Sequence, residues 1–244
     1  MLRGNILAFR LQSRRTRRAT RPTAAAITGN LDMSNDLNDV RKSYDIVADE
    51  YVRRIYDELQ HKPLDRQLLD EFAERVRSAG PVCDLGCGPG HVARYLHDRG
   101  VEVLGLDLSE SMIKQARRLN HDVRFQVGNI LALESPDKAW AGIVAFYSIV
   151  NLPAESLPTA AAEMLRVLRP GGRLLLSFHI GEETLHLDQW WDRDVSIDFY
   201  FYQPVRIADL LARAGFVIDE IVEREPYAEV EHQSRRAYIV ARAG

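Results

Sequence analysis

From Val40 onward, apolar residues return at helical spacing. Tyr44, Val47, Ala48, Tyr51, Val52 and Ile55 fall on one stripe, which predicts an amphipathic helix. A second stripe of Leu68, Leu69, Phe72 and Val76 follows Pro63 and is closed by Gly80-Pro81. Short apolar runs then alternate with helical patterns. Residues 82–85 predict a buried strand, Val92, Tyr95 and Leu96 a helix ended by Gly100, and residues 101–106 a second strand. Ser109 is placed to cap a helix carrying Met112, Ile113, Ala116 and Leu119 on one side, and strands follow at 123–127 and 142–146. Leu157, Ala161, Met164, Leu165 and Leu168 line a further helix that Pro170-Gly171-Gly172 stops before a strand at 174–178. Pro204 opens the last helix, with Ile207, Leu210, Leu211 and Ala214 on its face and Gly215 past its end, and strands at 216–222 and 237–240 complete the pattern.

Strands separated by helices of this length imply right-handed crossovers. The fold expected is α/β, a doubly wound, mostly parallel sheet of seven strands with helices on both faces. Residues 33–80 form an N-terminal helical cap and 81–244 the core. Ligands of such sheets bind at the carboxyl ends of the strands.

Composition narrows the function. Two cysteines, Cys83 and Cys87, are too few for a disulfide framework, so a reducing, cytoplasmic setting is expected. No apolar run approaches the roughly 18 residues of a membrane span. The net charge of −3 conceals seven arginines and no acid in residues 1–31, which leaves −10 over residues 32–244. A body this acidic disfavours a nucleic-acid partner. Residues 1–32 read as a disordered or mis-started extension, Met33 standing directly before Ser-Asn-Asp; the alternatives are an organellar targeting peptide and an arm for an anionic partner.

The first strand runs into Asp84-Leu85-Gly86-Cys87-Gly88-Pro89-Gly90 and then a helix. Alternate glycines admit left-handed backbone and let a ligand lie against the main chain. Asp107, at the end of the second strand, is placed to accept from both hydroxyls of a ribose, so a nucleoside ligand is expected. A dinucleotide fingerprint would need glycine where His91 stands, which weakens a nicotinamide-dependent oxidoreductase. Asp84 beside the turn repels a diphosphate and attracts a cationic amino acid.

This stretch resembles the first motif of the class I S-adenosylmethionine-dependent methyltransferases, and further motifs keep the family's order over roughly residues 40–243. The resemblance implies a Rossmann-like fold and S-adenosylmethionine as cofactor. It implies that Asp84, Gly86, Cys87 and Gly88 line the methionine end and that Asp107 holds the ribose. Leu108 and Met112 would flank the adenine, Asn129 would stand where the family most often has Asp for the adenine amino group, and Ile130 would also bind the cofactor. Phe146-Tyr147 falls near the family's methionine contact, and Leu165 to Leu176 is similar to its helix, L-x-P-G-G turn and fifth strand. Tyr44-Asp45-x-x-Ala48-x-x-Tyr51 is similar to a segment that folds over the cofactor in many small-molecule members, which makes Tyr51 a candidate neighbour of the sulfonium. Its other reading is a position on a core-facing stripe.

Cys83 and Cys87 lack a companion set at metal spacing, so no metal is expected. His91, starting a helix, reads as a surface residue. His179, just past the fifth strand, is the candidate base for an acceptor hydroxyl or amine, against the plainer reading of a hydrogen-bonded loop histidine. His186, Trp190, Trp191 and the run 198–202 lie in the connection after that strand and either line an acceptor pocket or pack a lid. The function expected is methyl transfer to an O or N atom of a small molecule by in-line displacement. The competitors are an RNA or protein methyltransferase and a non-catalytic S-adenosylmethionine-binding regulator. The sequence does not give the oligomeric state.

Overall fold

The computed structural model describes residues 33–244; the segment 1–32 and the readings made on it lie outside the described residues. The chain runs α1 (Met33–Ile55), α2 (Pro63–Val76), β1 (Val82–Leu85), α3 (His91–His97), β2 (Val103–Asp107), α4 (Glu110–Leu119), β3 (Arg124–Val127) and β4 (Trp140–Phe146). It continues α5 (Leu157–Val167), β5 (Leu168–His179), β6 (Thr184–Trp190), β7 (Arg193–Tyr200), α6 (Pro204–Ala214), β8 (Phe216–Arg224) and β9 (Arg236–Ala243). Seven strands make one sheet in the order β3-β2-β1-β4-β5-β9-β8, parallel except that β9 runs antiparallel to both neighbours. This is the doubly wound sheet expected.

Successive residues of the central strands serve different layers. Ile143, Leu174 and Leu176 pack with Ala161 and Met164 of α5 and Leu211 of α6. Their neighbours Val144 and Leu175 pack with Leu69, Phe72 and Val76 of α2 and Leu96 of α3. Covering both faces is why these strands read as continuous apolar runs rather than alternating ones. The winding reverses between β1 and β4, and that switch point opens a crevice at the strands' carboxyl ends.

The predicted caps form. Ser109 accepts from the Met112 N–H at 3.1 Å, and Gly215 takes a left-handed φ of +114° after α6. Leu168-Arg169-Pro170-Gly171-Gly172 lies within β5, where the register against β4 jumps from Trp140–Leu168 to Gly142–Arg173. The connection after β5 holds two strands that the sequence pattern did not predict. It is a hairpin of β6 and β7 with a two-residue turn, Trp191 at φ +52° and Asp192 at φ +60°. Leu187, Trp190 and Ile197 of the hairpin bury against Val47 of α1, so helix and hairpin cover the crevice together. Among the described residues no helix is long and apolar enough to cross a membrane.

Candidate cofactor and acceptor site

One cavity of about 700 Å³ fills the crevice, and the expected cofactor residues and the candidate base all line it: Tyr51, Asp84, Gly86, Cys87, Gly88, Asp107, Leu108, Met112, Asn129, Ile130, Phe146 and His179. At its nucleoside end, the Asp107 carboxylate accepts from the Gly88 N–H through Oδ2 and from the Ser109 N–H through Oδ1, both at 2.8 Å. The two βα turns are thereby tied to one carboxyl. Burial lifts this group to about 6, against the Ser109 and Gly88 N–H bonds and with the charge of Asp45. Asp45 itself accepts from the Ser109 hydroxyl at 2.6 Å and from the Ser111 N–H at 3.0 Å, which locks α1 onto the start of α4.

Gly88 holds φ at +52°, and a Cβ there would meet nothing nearer than Tyr51 Cε1 at 3.8 Å. The turn is therefore an open shelf roofed by an aromatic ring. Asp84 is 1% exposed, and its Oδ2 has no hydrogen-bond partner among the described residues. Burial raises its carboxyl to about 7, opposed by His91 and the Ala93 N–H and reinforced by Asp107. A buried acceptor left unmet in a cavity wall marks a place for a donor from a ligand. Asn129 Oδ1 accepts from the Leu131 N–H at 2.9 Å, so part of its acceptor capacity closes its own turn.

Tyr51 belongs to an aromatic cluster, with ring centroids 6.0 Å from Tyr44, Trp190 and Trp191. The stripe Tyr51 shares with Val47 faces the hairpin, and its Cε1 is the atom nearest to the side of Gly88. Of the aromatic connection, Trp190, Trp191, Phe199 and Phe201 line the cavity; His186 is instead bound to Asp198 and Asp188.

The other end of the cavity holds charges the sequence reading missed. Lys62, 3% exposed, donates to Glu58 at 2.7 Å and sits 3.3 Å from Glu231. Glu231 also pairs with Arg236 at 3.3 Å and with Arg224, which reaches Asp65 at 3.1 Å. Burial works against charge on Glu58, but Lys62 and His91 outweigh it and hold the carboxyl down at about 2. His91 is thus corrected from a surface residue: its Nε2 lies 3.2 Å from Glu58, and the side chain is 12% exposed. Tyr147 takes a left-handed φ of +54° just past β4, and its ring lies 5.4 Å from Lys62 Nζ and 6.0 Å from Arg236 Cζ. His179 is held between Tyr147 and Phe201, each centroid 5.2 Å away, with Nδ1 2.9 Å from Ser234 Oγ. Burial, then Arg236, His232, Lys62 and Arg224, push its imidazole well below the usual range, so it is neutral. The signal for these residues was present in part: Arg236 heads a final strand otherwise apolar inside, a place where charge needs a buried partner.

A sequence-family model described as a methyltransferase domain matches residues 82–172. Malonyl-[acyl-carrier protein] O-methyltransferase of Enterobacter lignolyticus is 36% identical over 138 residues, 54% of this chain and 53% of that protein. The protein of the same name from Halorhodospira halophila is 31% identical over 214 residues, 83% of this chain and 69% of that one. The chain spans about half the length of most curated relatives it matches. Among solved structures, a DhpI–SAH complex superposes with a TM-score of 0.65 at 21% identity, covering 85% of this chain and 97% of the other. Sheet order, glycine turn, paired carboxylates and these relatives agree: the chain belongs to the class I S-adenosylmethionine-dependent methyltransferases.

Proposed function

We propose that this chain transfers the methyl group of S-adenosylmethionine to an oxygen or nitrogen atom of a small molecule held in the same cavity. The observation that carries the reading is the unmet Asp84 oxygen beside the open Gly88 shelf, one turn from Asp107 and under Tyr51. These residues fit the cofactor. Asp84 accepts from its ammonium group, Asp107 from its ribose hydroxyls, and Leu108, Met112, Asn129 and Ile130 surround its base. Gly86, Cys87, Phe146 and Tyr51 face its methionine part. When bound, the cofactor supplies a methyl group already activated by a sulfonium.

The chain's own task is then alignment. An acceptor atom held about 3–3.5 Å from the methyl carbon, opposite sulfur, gains most of what a bound geometry offers. Tyr147, His179, Phe201 and Trp190 wall the space left for that acceptor. The names of the curated relatives favour oxygen as the atom methylated and an acyl group, free or carrier-linked, as one form of acceptor. The charge of −10 over residues 32–244 supports a small molecule over a nucleic acid.

The test is a melting series of the full chain with S-adenosylmethionine, S-adenosylhomocysteine, NAD and NADP. A ligand near 100 times its Kd adds ~2.7 kcal/mol to the native state. Stabilisation by the two adenosyl ligands alone, followed by label transfer to an acceptor panel, is the expected result. Stabilisation by NAD, or by none of the four, overturns the reading.

A further inference from the structure

At the acceptor end lies a serine hydroxyl with no hydrogen-bonding capacity to spare. Ser234 Oγ accepts from Arg236 Nη1 at 2.9 Å and lies 2.9 Å from His179 Nδ1 and 3.2 Å from His232 Nδ1. A hydroxyl has two lone pairs and one hydrogen, and a guanidinium only donates. Arg236 therefore takes one lone pair, and the two imidazoles share what remains. One ring must donate its Nδ1–H to Ser234 and the other must accept the serine hydrogen. With both rings neutral, they hold opposite tautomers, and rotation of one hydroxyl together with two proton shifts exchanges them. When His179 is the donor, its Nε2 is bare; that nitrogen has no hydrogen bond among the described residues, and the ring lines the cavity.

We propose that His179 Nε2 is the base for a protic acceptor, an O–H or N–H nucleophile, and that Ser234 and His232 pass the proton onward so that His179 stays neutral. This rests on the methyl-transfer reading above. The acceptor's O–H or N–H bond breaks toward His179 Nε2 while the heteroatom's electron pair forms the bond to the methyl carbon, and the C–S pair stays with sulfur. His179 Nδ1–H moves to Ser234 Oγ, whose own hydrogen moves to His232 Nδ1. The positive charge lost at sulfur thus reappears on His232.

The surrounding charges support this direction. Those acting on His179 are Arg236, His232, Lys62 and Arg224, all of which oppose an imidazolium there. Burial and then Arg236 also hold His232 below the usual range, but there Glu183 and Glu231 work the other way, and among the described residues no such carboxylate acts on His179. Tyr147 and Phe201 fix the His179 ring on both sides, so Nε2 holds its aim while protons move. His179 is the catalytic residue in this scheme, and Ser234 and His232 are positioning residues that act through it.

The experiment is ring-15N spectroscopy of the two histidines in the full chain with S-adenosylhomocysteine, joined to label transfer onto a panel of phenols, amines and carboxylates. Both rings are expected neutral at pH 7, with Nδ1-protonated fractions that sum to one. Ser234→Thr should keep that sum and Ser234→Ala should abolish it. On phenols or amines, Ser234→Ala and His232→Phe should lower kcat at least tenfold with KM and S-adenosylhomocysteine affinity unchanged, Ser234→Thr should restore it, and carboxylates, which arrive deprotonated, should lose little. Like tautomers on both rings, a His179 imidazolium at pH 7, equal losses for carboxylates, or no turnover of any protic acceptor with cofactor binding intact each overturns the proposal. Failure of S-adenosylhomocysteine to bind counts instead against methyl transfer, and the tautomer pairing is then read on the chain without ligand.

Discussion

Asp84→Asn keeps the shape of a side chain that is 1% exposed and removes its charge. Burial, opposed by His91 and the Ala93 N–H and joined by Asp107, raises the carboxyl from 3.8 to about 7. Since one pKa unit corresponds to ~1.36 kcal/mol, a shift of this size costs the ligand-free fold on the order of 4 kcal/mol once the group is ionised. The sign follows from proton counting. Between the two values the native chain binds more protons than the unfolded one, so stability falls as pH rises through that window. The new amide brings unmet hydrogen bonds of its own, ~1–3 kcal/mol, leaving a net gain of about 1–3 kcal/mol at pH 8, or roughly 2–12 °C in melting temperature. At pH 5 most of that gain disappears. Affinity moves the other way: losing a charged acceptor for an ammonium costs ~1.5–3 kcal/mol, about 10–150-fold in Kd for S-adenosylhomocysteine. Scanning calorimetry at both pH values, with titration calorimetry for the ligand, reads both halves. A variant less stable than wild type at pH 8, or one that binds the ligand equally well, refutes the reasoning.

Asp107→Ala removes the shared acceptor of the Gly88 and Ser109 N–H groups as well as the proposed ribose contact, so affinity for S-adenosylhomocysteine should fall at least tenfold by calorimetry. Tyr51→Ala should weaken S-adenosylmethionine more than its uncharged product, by the ~0.5–2 kcal/mol of a cation on an aromatic face, while Tyr51→Phe leaves the ratio of the two Kd values unchanged. Lys62→Met strands Glu58 and Glu231 without their common cation and should cost about 3–5 kcal/mol in urea unfolding. In the same variant the Glu58 pKa should rise from about 2, so the stability lost on acidification, as pH falls through that value in wild type, goes at a higher pH.

What was legible follows the range of the forces involved. The central strands, Ser109 as a cap, the glycine turn and Asp107 are each set within a single βα unit of their own, where periodicity and special backbone angles are local facts. The hairpin was missed because its turn is Trp191-Asp192, two left-handed residues without glycine, and because a register shift between Leu187 and Gln189 breaks the alternation that would have marked a strand. The charged end of the cavity was missed for a different reason. Lys62, Asp65, Arg224, Glu231 and Arg236 come together only when α2 packs beside β8 and β9, and each alone reads as a solvated surface charge. His91 was misread likewise, since its partner Glu58 lies 33 residues earlier.

The hairpin turn leaves no slack at the tip, and its base is equally tight: the Phe201 N–H donates to Glu183 at 3.0 Å and the Tyr202 N–H to the His179 carbonyl at 3.0 Å. Strands tied at both ends in this way make the cover one plate. Because its base is bonded to the backbone of His179, any displacement of the plate would carry that residue's ring with it.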